Sequence, residues 1–226
     1  MSLELHQLKP ELGKGIYTVP DVAKLLQLPY NKVNHWLNKL WNGRLGYQFQ
    51  FKYSWNIDLS NAVNFYTLIE FFTFYQLLEA GISSRKLLEL HNGLAKKYDT
   101  PYPFANQKIL NTIKTDGKNI FIEDKNGIYS YDKLQFFFAF IRDFFKNIDF
   151  DSNEMAIRLW PLGKSKSIVC DPSHQFGQPV IDGTNIPAET LYELYEAGEP
   201  IDYISDLYSI TSKQVRDSVE FCKRAA

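Results

Sequence analysis

Residues 17–37 read YTVPDVAKLLQLPYNKVNHWL, and the spacing of their apolar side chains decides how the chain begins. Thr18 stands where a helix cap is needed, and Pro20 falls in the first turn, where a missing N–H costs nothing. Val22, Leu25 and Leu26 then recur on one face, with Ala23 where a second helix must approach closely. Gln27-Leu28-Pro29 is a turn. A second helix is expected from Tyr30 to Leu40, with Val33, Trp36, Leu37 and Leu40 inward. Its other face carries Lys32, Asn34, His35 and Lys39. Helix, turn, helix is the pattern of a DNA-reading head.

Outward from that core, NGRLGYQFQFKYSW (42–55) carries a strong turn signal at Asn42-Gly43. Its continuation YQFQFKYSW alternates like a strand. A hairpin after the two helices makes a winged helix, with Arg44 and Lys52 on the wing. The run LSNAVNFYTLIEFFTFYQLLEAG (59–81) is expected to be a helix ending at Gly81, followed by a second helix, 85–98, capped by Ser83 or Ser84. The first of these is apolar almost all round, which calls for cover on more than one side, and a dimer partner could supply it.

Farther on, Asp116-Gly117 and Asn126-Gly127 join short β-prone runs into a meander. LQFFFAFIRDFFKNI (134–148) reads as an aromatic helix, and MAIRLWPL and KSIVC read as strands. The Phe136–Phe145 run has three readings: core first, then a dimer interface, then a hydrophobic ligand pocket. The tail, GQPVIDGTNIPAETLYELYEAGEPIDYISDLY (177–208) and beyond, reads as a short strand or extended hook at Pro179-Val180-Ile181 and a turn at Asp182-Gly183. Three helices follow. They begin near Pro187, after Pro200, and at Thr211 or Ser212, with Leu191, Leu194, Tyr195, Ile201, Ile204, Leu207, Tyr208, Val215, Val219 and Phe221 inward. The fold class is therefore mainly α with small β elements, in three parts. These are a winged-helix region with its helix pair (1–98), a connecting α/β region (99–164) and a three-helix, helix-turn-helix-like tail (165–226).

Charge divides the chain. Lys14–Trp55 holds six basic residues against one acid, a net +5, whereas Asp171–Ala226 holds four basic and ten acidic residues, a net −6. Nucleic acid is expected at the head only, since phosphate binding scales with cationic contacts. Lys32 and Lys39 suit phosphates. Asn34 and His35 suit base edges, although a solvated polar face is the plainer reading of His35 taken alone. A wing arginine can enter a minor groove or remain solvated.

His6, His35, His91 and His174 lack ligand spacing, and Cys170 and Cys222 form no ligand motif, so no metal and no cofactor are expected. Asp171, His174 and Asp182 invite an acid–base reading, but turn chemistry accounts for them. No nucleophile elbow, phosphate loop or paired-carboxylate motif is present, so an enzyme is not expected. The longest apolar runs are interrupted by Glu70 and Glu79 or by Arg142 and Asp143. Neither suits a membrane span, and the N-terminus does not read as a signal peptide; a reducing cytoplasm is the expected location.

Two resemblances follow. Residues 15–98, through YTVPDVAKLLQLPYNKVNHWL and LIEFFTFYQLLEAGISSRKLLEL, resemble the MerR family. Its recognition helices usually carry arginine where this one has Asn34 and His35. The long coiled coil and metal-binding cysteines of its metal sensors are absent. The tail is similar to a small helical family of VapB-like antitoxins, whose opening Gly-x-Pro-Val-Ile-x-Gly-Thr-x-Ile-Pro stands here as Gly177, Pro179, Val180, Ile181, Gly183, Thr184, Ile186 and Pro187. Asn185 replaces the usual arginine.

Together these resemblances imply a type II antitoxin. Such a protein would repress its own promoter as a DNA-binding homodimer and neutralise a toxin, often a PIN-domain ribonuclease. Pro179, Val180 and Ile181 are the expected partner contacts. A ligand-sensing regulator without a toxin and a scaffold that binds no DNA are the alternatives.

Overall fold

Thr18 and Asp21 cap the first helix reciprocally. The Thr18 hydroxyl accepts from the Asp21 N–H at 3.4 Å, and the Asp21 carboxylate accepts from the Thr18 N–H at 2.8 Å. A computed structural model describes residues 6–7, 9–57, 60–115, 120–122 and 144–224. In it, α1 (Val19–Leu26) buries Val22, Ala23, Leu25 and Leu26 and ends at Gln27 in a left-handed conformation. The second helix, α2 (Tyr30–His35), follows the Leu28-Pro29 turn and buries Val33.

The expected hairpin turn at Asn42-Gly43 is corrected. The backbone continues from α2 into a ten-residue π-helical stretch, Trp36–Leu45, and then α3 (Gly46–Phe49). Two packing demands outweigh the local turn signal. Wider π-helical winding brings residues five apart onto one face. Trp36 and Trp41 therefore both meet Phe74 edge-on, with ring centroids 5.1 and 5.0 Å away. The Asn42 side chain also holds the returning strand, accepting from the Tyr53 N–H and donating to the Ser54 hydroxyl, both at 2.8 Å. At Gly46 a Cβ would lie 2.4 Å from the Phe51 carbonyl oxygen, so only glycine fits where the chain doubles back.

The strand expected over residues 47–55 is accordingly split between α3 and later short strands. A parallel bridge joins β1 (His6–Gln7) to β3 (Phe51–Lys52). A three-stranded antiparallel sheet has the order β2 (Tyr17–Thr18), β5 (Ser60–Val63), β4 (Trp55–Ile57), with Tyr17 opposite Val63 and Trp55 opposite Ala62.

The apolar helix is α4 (Phe65–Glu79), capped by Asn64, and α5 (Ser84–Tyr98) follows, capped by Ser83 as expected. The chain itself supplies the cover that a dimer partner could have given α4. Phe65, Leu68, Ile69, Phe71, Phe72, Phe74 and Leu77 are all buried within one chain. The tryptophans of the π-helical stretch lie against it, and the 3₁₀ turn Pro103–Ala105 is tied to it by the Thr73 hydroxyl, which donates to the Phe104 carbonyl at 3.1 Å.

A four-residue helix, α6 (Gln107–Leu110), leads to the antiparallel pair β6 (Ile113–Thr115) and β7 (Ile120–Ile122). The Asp116-Gly117 and Asn126-Gly127 turns and residues 134–143 of the expected aromatic helix lie outside the described residues. Phe144, near the end of that run, is buried against Phe72.

Strands β8 (Ile148–Phe150) and β9 (Ala156–Leu159) pair antiparallel, as do β10 (Ile168–Val169) and β11 (Val180–Ile181). Three helices close the chain: α7 (Ala188–Glu196), α8 (Ile201–Tyr208) and α9 (Ser212–Arg224). Leu191, Ile204, Val215 and Phe221 face inward as expected, but Leu207 does not; it is exposed. One hydrophobic cluster runs from Tyr17 through α4 to Cys222, so head, middle and tail share a core.

Candidate nucleic-acid interface and head–tail junction

On α2 and the π-helical stretch, Lys32, His35 and Lys39 are exposed and Asn34 is half-buried, while Val33, Trp36 and Leu37 point into the core. The apolar stripe thus fixes a polar, basic outer face. The Lys32 ammonium lies 5.4 Å from the Trp36 ring centroid and 5.5 Å from that of Tyr75, a cation–π arrangement that holds it beside the helix.

Asn34 is already engaged. The Asn38 amide donates to its side-chain oxygen at 2.7 Å and to its backbone carbonyl at 3.0 Å. A bidentate contact to adenine uses both the oxygen and the NH₂ of a carboxamide. Asn38 therefore shares control of what Asn34 presents. Asn38 is not among the residues that the helix-turn-helix pattern singles out, although its i,i+4 spacing from Asn34 is a usable signal.

Arg44 and Lys52 do not lie on the β4–β5 hairpin. Arg44 is exposed on the π-helical stretch, and Lys52 is half-buried in β3. Both were displaced by the same event, the helical continuation through Asn42-Gly43. The shift leaves Arg44 on the helical segment that carries Lys39.

At the tail, Val180 and Ile181 form a short strand, one of the two expected forms, but they are not open to a partner. Val180 and Ile181 pair with Val169 and Ile168 and are fully buried, and only Pro179 is half-exposed. The segment before them instead clamps the head. The Ile16 N–H donates to the Phe176 carbonyl at 2.8 Å, the Tyr17 hydroxyl to the Gly177 carbonyl at 2.8 Å, and the Gln178 amide to the Ile16 carbonyl at 3.0 Å. Burial raises the Tyr17 pKa well above the usual phenol value, so the hydroxyl stays protonated and donating. An ion pair between Lys24 on α1 and Glu189 on α7, 3.1 Å apart, flanks the junction. Between the two parts lies a cleft of about 370 Å³, lined in part by Asp21, Leu25, Phe176, Pro187 and Phe221.

Asp171 and His174 do meet. Asp171 accepts from the Arg158 guanidinium at 3.0 Å and from the Ser173 N–H at 2.9 Å, with His174 at 3.3 Å. Burial opposes its ionisation. The Ser173 hydrogen bonds and the charges of Arg158 and His174 outweigh that cost and lower its pKa. Asp182 lines the same polar pocket. The hydrogen bonds from Ser173 are those of an Asp-led turn.

The middle of the chain holds a pair that the sequence did not reveal. His91 Nε2 on α5 lies 2.7 Å from the Glu70 carboxylate on α4, and both are buried. Glu70 also accepts from the Phe104 N–H at 2.7 Å. Burial raises the Glu70 pKa against the opposing pull of His91 and the Phe104 and Ala105 backbone donors. No described helix is long and apolar enough to cross a membrane.

Three likenesses bear on this geometry. Residues 168–222 match the model of a family described as "Protein of unknown function (DUF433)". Over 82 residues the chain is 29% identical to a Mycobacterium tuberculosis protein named "Putative antitoxin VapB45". The match takes in 35% of this chain and 34% of that protein, about a third of the relative's length. The fold is similar to the X-ray crystal structure of Rv2018 from Mycobacterium tuberculosis, with a TM-score of 0.65 at 17% identity, covering 90% of this chain and 96% of that one.

Proposed function

We propose that this chain is the antitoxin of a type II toxin–antitoxin module, a cytoplasmic binding protein rather than an enzyme. It binds double-stranded DNA at its own promoter as a MerR-like, winged-helix repressor, and its helical tail neutralises a partner toxin of the PIN-like ribonuclease kind. The observation that carries the reading is the similarity to a protein named as an antitoxin. The outward basic face of α2 supports the DNA half.

Lys32 and Lys39 contact phosphates in this reading, and Arg44 joins them from the π-helical stretch. Asn34, oriented by Asn38, and His35 face base edges. Lys32→Ala is expected to weaken binding to all duplexes alike and to reduce the salt slope by about 1. Asn34→Ala is expected to relax sequence choice, with a loss of about 1–3 kcal/mol at the base it reads. Both are measured on the protein's own promoter and on random duplex at two salt concentrations. Equal wild-type affinity for the two DNAs would refute the repressor reading.

A homodimer is part of the proposal, because two copies would place two α2 helices on half-sites roughly 34 Å apart. Light scattering at micromolar concentration is expected to give twice the chain mass, and a monomer mass would remove the palindromic operator. With α4 covered inside one chain, the dimer contact must use another surface.

A second reading, a regulator that senses a small molecule and has no toxin, is favoured by the cleft between α1 and the tail, whose size suits a small ligand. It is separated from the first by whether the product of the adjacent gene binds the chain.

A further inference from the structure

The outer face of α8 is apolar and acidic at once. Tyr203 is 52% exposed and Leu207 is 54% exposed. Their i,i+4 spacing stacks them on one side of the helix, opposite the buried Ser205. Neither is needed for the packing of the tail, because Ile204 holds α8 against the core. Asp202 and Asp206 are both exposed on the same helix, and Glu199 lies just before it.

The ion pairs of the tail divide its acids into two sets. Asp171 is paired with Arg158, Asp217 with Lys166 and Lys213, Glu220 with Lys166 and Arg224, and Glu189 with Lys24. Among the described residues, Asp182, Glu193, Glu196, Glu199 and Asp206 form no ion pair, and Asp202 meets only the Ser212 hydroxyl at 3.1 Å. All of these acids but Asp182 lie on α7, α8 and the turn between them. They border two large apolar side chains that are about half exposed.

We infer that the Tyr203–Leu207 face, flanked by Glu199, Asp202 and Asp206, is the docking surface for a protein partner with a basic surface. An apolar anchor within a charged rim is the usual anatomy of a specific interface, with the rim steering the encounter and the anchor setting the lifetime. A nucleic acid is disfavoured by the negative rim, and a second acidic tail is repelled by it. This inference rests on the antitoxin reading: a ribonuclease toxin presents basic surface to hold RNA, and that surface is the complement of this face.

The test uses the full chain and the purified product of the adjacent gene as the probe. The double variant Tyr203→Ser/Leu207→Ser is expected to bind that protein at least about tenfold more weakly than wild type. Its thermal melt and its promoter binding are expected to stay unchanged. Glu199→Lys/Asp206→Lys is expected to slow association and to flatten its salt dependence. Undiminished binding by the double variant overturns the docking face while leaving the antitoxin reading in place. Failure of the wild-type chain to bind the probe overturns both. Loss of a dimer mass in the double variant, with partner binding intact, reassigns the face to contact between two copies of this chain.

Discussion

His91→Leu is expected to destabilise the folded chain by about 3–5 kcal/mol, because it strips a buried carboxyl group of its side-chain partner. Glu70 and His91 lie on α4 and α5, fully buried, 2.7 Å apart. The same carboxylate holds the Phe104 N–H, so it also anchors the 103–105 turn that covers α4. Burial pushes the Glu70 pKa up, and the charge and hydrogen bond of His91 are the largest influences pulling it back.

Removing His91 therefore raises the folded pKa of Glu70 further above its unfolded value. A group shifted in that direction contributes stability below its unfolded pKa and loses it as pH rises through its folded pKa. The variant is accordingly expected to lose more stability at pH 8 than at pH 5. Urea unfolding at the two pH values measures this. Glu70→Gln/His91→Leu keeps an acceptor for the Phe104 N–H without a buried charge, and it should recover much of the loss. A single variant as stable as wild type at pH 8 would show that the pair carries no stability.

That pair marks the limit of what the sequence discloses. Glu70 interrupts an apolar run, and its role in the sequence is to argue against a membrane span. Its partner lies 21 residues on in a different helix, and no periodicity links the two. The start of α1 was legible because Thr18 and Pro20 act within one turn. The tail helices were legible because Pro187, Pro200 and the Thr211-Ser212 pair punctuate a regular apolar spacing.

The π-helical stretch was not legible. Asn42-Gly43 is a local turn signal, whereas Trp36 and Trp41 are held by Phe71 and Phe74 of α4, thirty or more residues away. The site inherits both outcomes. Lys32, Asn34, His35 and Lys39 stand where the α2 stripe predicts, and Arg44 and Lys52 moved with the misplaced hairpin. Val180 and Ile181 were visible as an extended segment, but extension does not reveal which side is covered. Ile168 and Val169 cover it.

Gly177→Ala is expected to cost about 2–4 kcal/mol, through left-handed backbone strain and the displacement of a buried tyrosine. Gly177 has φ +85°, and a Cβ there would lie 2.0 Å from the Tyr17 hydroxyl oxygen and 2.7 Å from its ring. Tyr17 cannot yield easily, being fully buried between Gly15 and Gly177 and paired in β2 with Val63. Tyr17→Phe removes only the hydroxyl, leaves the Gly177 carbonyl without its donor, and is expected to cost about 1–3 kcal/mol.

The double variant Tyr17→Phe/Gly177→Ala is expected to cost less than the sum of the two, because both act on one contact and the worst clash disappears with the hydroxyl. Because β2 leads directly into α1, loosening this contact is expected to weaken promoter binding as well, although Gly177 is distant in sequence from every residue of the α2 face. Urea unfolding and promoter binding of the three variants measure both effects. Additive losses would show that Tyr17 and Gly177 are not coupled. Unaltered promoter binding by a folded Gly177→Ala chain would show that the head reads DNA without the support of the tail.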